Sequence, residues 1–285
     1  MMLAHKLAAP MDTPLYVDDV FSTYLYTGNG STQTITNGID LAGKGGVVWL
    51  KTRSQVGPNQ LIDTVRGLGK YLITDTTAAQ ASASLTYLIT AFNSSGFSLG
   101  LNNSGENASG VVNASYTFRK AAKFFDVVTW TGDGAGSKLV NHALGGTIGW
   151  SLIKRTDSSG DWAVYALNAS GNHAYWISAG AGLSTSSAAT NSNASFLSSY
   201  FTSTTIDVGS ISGSGTMALN MSGATYVAYL FAHDPDTTNG IIQCGSYTGN
   251  GSTTGPTINL GWEPQFLLIK NAGGIGSWQM VDTMR

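Results

Sequence analysis

The stretch FSTYLYTGNGST at 21–32 is repeated as DVVTWTGDGAGS at 126–137 and as IIQCGSYTGNGST at 241–253. Each copy leads into a second short apolar run: TITNGIDL (34–41), KLVNHALG (138–145) and PTINLG (256–261). A third run follows, VVWLKTR (47–53), WSLIKR (150–155) and QFLLIKN (265–271), with Lys51, Lys154 and Lys270 at matching places. The T-G-x-G threonines, Thr27, Thr131 and Thr248, lie 104 and 117 positions apart. That period suits a small domain and is too long for one turn of a solenoid.

The match continues inside the units. GKYLITD (69–75) stands where NHAYWIS (172–178) stands, and GFSLG (96–100) where TIDVG (205–209) does. SGVVNASYTFRKAAKFFDVVTWTG (109–132) corresponds to SGATYVAYLFAHDPDTTNGIIQCGSYTG (222–249). The boundaries that follow are an N-terminal extension over 1–17, a first repeat over 18–122, a second over 123–238, and the start of a third, incomplete repeat over 239–285. QMVDTMR (279–285) echoes QLIDTVR (60–66), a point where the first copy is barely one-third complete. Either the sequence is a fragment of a longer chain or the last strands complete a sheet of the second unit; the abrupt stop at Arg285 favours the first.

The apolar runs are 4–8 residues long and rich in β-branched and aromatic side chains, which fit a pleated surface. Large residues alternate, as in Tyr116 with Phe118 and Tyr226 with Ala228 and Leu230, so each set shares one face. Sustained helical periodicity is missing; the Ala-containing stretches 78–91 and 179–196 come nearest to it. Asn29-Gly30, Asp133-Gly134 and Asn250-Gly251 tolerate the positive φ of tight hairpin turns. The repeated glycines Gly28, Gly132 and Gly249 complete a turn device. A phosphate cradle is a poor reading of the motif, because a strand follows and not the helix N-terminus, usually with a Lys, that a cradle needs. The expected fold is all-β: tandem antiparallel β-sandwich modules of jelly-roll or concanavalin-like type. Each would bury one aromatic layer, with Trp49 in the first and Trp130, Trp150, Trp162 or Trp176 in the second. Short joints, AAKFFD (121–126) and HDPDTTNG (233–240), predict modules stacked in line on a stiff rod.

Charged residues are 11% of the chain against a usual ~25%, so the polar surface must be Ser, Thr, Asn and backbone. Net charge is -2 with no Lys/Arg cluster, which removes the main energy source for nucleic-acid binding. Cys244 is the single cysteine and excludes an intrachain disulfide. MMLAHKLAAP is too short and too weakly apolar for a leader or a membrane span, so membrane insertion is not expected and an extracellular location would need a route other than a cleaved leader, such as release with a virus particle.

Candidate chemistry is sparse, and no cofactor motif is found. His142 and His173 lack metal-ligand spacing. His233, Asp234 and Asp236 form the one cluster able to hold a hard cation, were carbonyls and waters to join them. Asp63 has a counterpart in Asp282 but none in the second unit, where Tyr165 or Ala166 occupies the area, so paired carboxylates for glycoside hydrolysis are not a feature of the repeat. No G-x-S-x-G elbow is present. No catalytic residues are assigned, and the chain reads as a non-enzyme. The three repeated lysines read as a solvated strand edge that discourages stray pairing. Tyr175 and Trp176 could form a platform that stacks on sugar rings.

The segments FDVVTWTGDG, GWSLIKRTDSSGDWAVY, SGATYVAYLFAHDPD and SYTGNGSTTGPTINLGWEPQFLLIKNA together resemble repeat domains of tail-fibre or virion-associated proteins of marine bacteriophages. The resemblance runs from about residue 18 onward. The second unit departs from it at the D-T-V-R segment, showing YALNAS (165–170). The likeness implies a lectin-like sandwich on the virion exterior, a structural or adhesion module contacting host surface polysaccharide. It also implies a homotrimer within a fibre. The rival readings are a non-binding fibre spacer and a polysaccharide depolymerase.

Overall fold

The computed structural model describes residues 15–101, 105–167, 173–178, 195–196, 198–211, 218–236, 238–271 and 278–284. The first unit contains β1 (Phe21–Thr27), β2 (Gln33–Thr36), β3 (Gly46–Thr52), β4 (Asn59–Asp63), β5 (Lys70–Ile73), β6 (Ala81–Ser82), β7 (Ile89–Asn93), β8 (Gly96–Leu99) and β9 (Val112–Arg119). The second contains β10 (Phe125–Thr131), β11 (Leu139–Asn141), β12 (Thr147–Arg155), β13 (Trp162–Leu167), β14 (His173–Ser178), β15 (Ser195–Phe196), β16 (Thr205–Asp207) and β17 (Thr225–His233). A last hairpin pairs β18 (Phe266–Ile269) with β19 (Gln279–Asp282).

The protein is all-β, with several antiparallel sheets. Two six-stranded sheets share one strand order: β1-β9-β3-β4-β5-β6 and β10-β17-β12-β13-β14-β15. Smaller sheets, β2-β8-β7 and β11-β16, cover one face of each. Register repeats as well as order. Val47 pairs with Asp63 in the first unit, Trp150 with Ala166 in the second, and Phe266 with Asp282 in the last hairpin. That hairpin is a separate two-stranded sheet and does not extend the second unit.

The other faces of the two large sheets meet. Val47, Trp49, Tyr116 and Phe118 from the first pack with Val127, Leu152, Trp162, Val164 and Tyr229 from the second, in one apolar cluster. The in-line rod expected from the short joints is therefore wrong: the units stack sheet against sheet across a common core. The cause lies in the central strands. In β17, Tyr226, Ala228 and Leu230 face the second unit's own small sheet, while Val227 and Tyr229 face the first unit. Both parities are apolar, so both faces must be kept from water. The aromatic layers are accordingly shared out differently. Trp49 and Trp162 lie in the common core, Trp150 is half-buried against it, and Trp130 is inside the second unit.

Helices are short, Val17–Val20 and Leu41–Lys44 with a 3-10 turn at Ser198–Tyr200. The stretch 78–91 holds the two-residue β6 and the start of β7, not a helix, and 179–194 lies outside the described residues.

The T-G-x-G motif is a turn in all three copies, but not a hairpin turn. In the first unit β1 bonds β9 and β2 bonds β8, and in the second β10 bonds β17 and β11 bonds β16, so in these two copies the motif carries the chain from the large sheet to the small one. Asn29, Asp133 and Asn250 accept through Oδ1 from the amide two residues on, at 2.8, 3.0 and 3.0 Å. The final glycines take φ of +70, +77 and +69°. The preceding glycine is needed for space: a Cβ on Gly28 would lie 2.2 Å from the Ala108 carbonyl oxygen, and one on Gly132 2.1 Å from that of Met221. At Gly249 a Cβ would meet nothing within 4 Å. Gly132→Ala is therefore expected to lower stability by about 1–3 kcal/mol, the cost of forced overpacking. Gly249→Ala should leave it within about 0.5 kcal/mol. Urea titrations of both variants check the contrast.

Candidate functional site

The strongest polar constellation lies where the two large sheets meet. β4 ends at Asp63, on the same side as Leu61 and therefore aimed into the common core; its carboxylate is fully buried. The turn after β4 folds Arg66 back onto it: Oδ1 accepts the Arg66 amide at 2.8 Å and the Val65 amide at 3.1 Å, and Oδ2 accepts Arg66 Nε at 2.5 Å. From the second unit, Tyr229 donates its hydroxyl to Asp63 Oδ2 at 2.8 Å and accepts from Arg66 Nη2 at 2.8 Å. Arg66 also donates to the Leu61 carbonyl at 3.0 Å and to Gln80 Oε1 at 3.3 Å.

Burial works against the Arg66 charge, yet Tyr229 and Asp63 beside it raise its pKa above the usual value. Burial likewise drives the Tyr229 hydroxyl well above its ordinary range, so it stays protonated and can donate. The triad is a closed network. Its carboxylate is saturated by donors and shut away from solvent, so it has no lone pair or access with which to act on a substrate.

The same pairing recurs one step round. Tyr116 in β9, the counterpart of Tyr229, donates to Asp282 Oδ2 of β19 at 3.0 Å. The D-T-[V/M]-R aspartate of one unit thus meets the closing-strand tyrosine of another, in both places where an aspartate exists. Both separations are 166 positions along the chain.

Further bonds tie the loop after β5 to the β12–β13 turn. Trp162 Nε1 donates to the Thr76 carbonyl at 2.9 Å, the Gly160 amide to the Thr77 carbonyl at 2.9 Å, and the Gln80 amide to the Thr156 carbonyl at 3.0 Å. Lys154 joins them, donating to Thr77 at 3.2 Å and Gly160 at 2.8 Å. Its exposure is 0%, so the solvated edge expected for the repeated lysines is wrong here. The reason is the stacking of the units, which places the end of β12 beneath a loop of the first. Burial lowers its pKa to about 8. Lys51 and Lys270 are half-buried and bond Asn59 Oδ1 at 2.7 Å and the Asn271 carbonyl at 2.8 Å.

Two asparagines that fasten the turns carry no signal in the repeat blocks themselves. Asn107 and Asn220 clamp the T-G-x-G turns: their carbonyls accept from Gly30 and Gly134 at 2.7 and 2.8 Å. Their Oδ1 atoms accept from the Asn29 and Asp133 amides at 3.3 and 3.1 Å. The signal was present as N-x-S-G before both closing strands (107–110 and 220–223).

The weak cation candidate is not assembled. His233 Nδ1 accepts the Cys244 amide at 3.2 Å, Asp234 accepts the Asp236 amide, and Asp236 accepts from Thr238 and Asn239. Among the described residues no group of three His, Cys, Asp or Glu converges to hold a metal ion. The acids serve an Asx turn because the Asp-Pro-Asp run has to reverse direction at the joint. Tyr175 and Trp176 fall on β14, and their side chains lie outside the described residues. A void of about 10 Å³ remains between the large sheets, lined by Val47, Trp49, Phe118, Trp150, Tyr229 and neighbours. It has about the volume needed for one water, and its lining is apolar. Among the described residues no helix is long and apolar enough to cross a membrane.

These features define an all-β protein whose buried polar groups serve to join repeated sheets. Its sequence matches one family model over residues 17–285, and the chain belongs to that family, DUF7483, a domain of unknown function. Neither a curated protein nor a solved structure matches it. The match takes in both large sheets and the β18–β19 hairpin.

Asp63→Ala leaves a buried guanidinium without its counter-ion and should cost about 3–5 kcal/mol. Tyr229→Phe, which leaves the ion pair intact, should cost about 1–2 kcal/mol. The double variant is expected to lose less than the two together, because both act on one network; equilibrium unfolding of all three proteins measures this.

Proposed function

We propose that the chain is a structural and adhesion module of a virion exterior, in the manner of a phage tail fibre, and that it touches host surface glycans. In this reading each unit is a concanavalin-like sandwich. The observation that carries it is the use made of charge. In a chain with 11% charged residues, the buried Asp63–Arg66 pair, bonded to Tyr229 of the second unit, and the buried Lys154, bonded to Thr77 of the first, join one unit to the next. A stiff stack of sheets with a Ser-, Thr- and Asn-rich surface meets the demands on a particle exposed outside a cell. The resemblance of the repeat to virion-associated domains supports the same reading, as does the sealed state of Asp63 against the depolymerase alternative. The glycan contact is assigned to β14, the second-last strand of its sheet, where Tyr175 and Trp176 are successive residues on opposite faces and one of the two stacks on the sugar.

Gold-labelled antibody on intact particles is expected to mark a fibre, and the protein is expected to be a trimer by light scattering. On an array of host polysaccharides the protein should bind, and Tyr175→Ala with Trp176→Ala should abolish binding without lowering Tm. Particles that carry no label, or release of oligosaccharide by the purified protein, would contradict the proposal. Labelled fibres without any glycan binding would leave the spacer function instead.

A further inference from the structure

The turn after β11 is built on a titratable side chain at a place where the first unit has none. Thr36 pairs with Gly96 at the end of β2, and Asn141 with Thr205 at the end of β11. Asn37 and His142 are then counterparts, and their amides donate to the Ser95 and Thr204 carbonyls at 3.0 and 2.8 Å. Each side chain accepts the amide two residues on, Asn37 through Oδ1 from Ile39 and His142 through Nδ1 from Leu144, both at 3.2 Å. An amide oxygen remains an acceptor across the physiological pH range, whereas an imidazole nitrogen does so only while it carries no proton. We propose that His142 makes this turn an acid-sensitive latch. With a neutral ring it holds the second unit's small sheet to the joint between the units, and on protonation it lets go.

The hydrogen bonds fix the state of the ring. The Leu144 amide can only donate, so Nδ1 is bare and the proton sits on Nε2. His142 is buried, and its Nε2 has no hydrogen-bond partner. In the first unit the matching group is used: Asn37 Nδ2 donates to Thr117 Oγ1 at 2.9 Å. Phe118 stands opposite Phe21 and Phe231 opposite Phe125, so the residue in the place of Thr117 is Leu230, which offers no acceptor. A second proton would set Nδ1–H against the Leu144 N–H, donor against donor, and would leave a charged ring buried.

The charges nearby do not remove that penalty. On β10, Asp126 lies beside the ring, but its carboxylate already accepts Lys120 Nζ at 2.9 Å and the Ala143 amide at 2.7 Å. On β16, Asp207 stands opposite Leu139 and is bonded to Ser137, Lys138 and Ser210. The 202–205 turn brings the backbone of Thr202 and Thr205, and β17 brings His233, whose Nδ1 accepts the Cys244 amide. Burial outweighs the pull of Asp126 and holds the His142 pKa below its ordinary value.

The latch reaches the joint through the same turn. The Lys123 amide donates to the Leu144 carbonyl at 2.6 Å, and Lys123 sits at φ +59°, in the left-handed region that a side chain rarely adopts. Releasing Leu144 frees that backbone as well. A folded pKa below the unfolded one gives stability that is full above about pH 6.5 and is lost as pH falls toward the folded value.

The test is amide exchange of the whole chain, followed by NMR and expressed as protection against each amide's intrinsic rate. Between about pH 7.5 and about pH 5.5, Leu144 and Lys123 should lose protection about five- to tenfold, as expected for a histidine that titrates normally once the turn opens. Ile39, held by Asn37, should keep its protection. His142→Asn installs the first unit's side chain and should remove the pH dependence at Leu144. Ring nitrogen shifts of the unaltered protein should show the Nε2–H tautomer at neutral pH. Constant protection at Leu144, an equal loss at Ile39, a loss that persists in His142→Asn, or a proton on Nδ1 at neutral pH would each overturn the latch. Should His142→Asn fail to fold, the contrast between Leu144 and Ile39 and the ring tautomer decide the matter in the unaltered protein.

Discussion

Burial on both faces of the two large sheets is the constraint from which the remaining structure follows. A sheet with one wet face can carry polar residues at every second position. β3, β9, β12 and β17 have no such face, since one side meets the unit's own small sheet and the other meets the neighbouring unit. Any polar atom on the inner side must then find a protein partner, since it can no longer reach water. Asp63 satisfies this with two backbone amides, Arg66 and Tyr229, and Tyr229 in turn needs Asp63. The network links the units because neither unit holds all of its parts.

The same constraint explains the loops. Once the sheets are stacked, the half-buried segment after β5 bonds the β12–β13 turn through Thr76, Thr77 and Gln80. Lys154 is caught beneath that contact, and its ammonium group is held by two carbonyls and not by water. The first two T-G-x-G turns lie at the far end of the large sheets, where Asn107 and Asn220 fasten them to the start of the closing strands. These contacts explain why glycine is required at Gly28 and Gly132, where carbonyl oxygens approach closely, and why Gly249 has the same sequence without that crowding.

Local structure was largely legible. Repeats, strand character and the Asx-type turns could be read from residues close together in sequence, because alternation and Asn-Gly chemistry act over a few positions. The stacking of units is also written in YVAYLFA (226–232), where both parities are apolar and alternation accounts for only one of the two sets. The Asp–Tyr pairs were out of reach. Their partners are 166 positions apart, and nothing local to Asp63 or Asp282 points to a tyrosine. The burial of Lys154 is out of reach for a related reason: lysine favours the surface, and only the packed neighbour shows why this one is covered. A metal at His233, Asp234 and Asp236 was suggested by residue type alone, and the backbone amides of the turn had prior claim to those oxygens.

A common core makes the two units one thermodynamic body, since separating them would expose Trp49, Trp162 and Tyr229 and strand the Asp63–Arg66 pair. Differential scanning calorimetry of the whole chain tests this most directly. A single transition with calorimetric and van't Hoff enthalpies in agreement is predicted. Two resolved transitions, each with the enthalpy of one unit, would show that the sheets fold independently and would contradict the shared core.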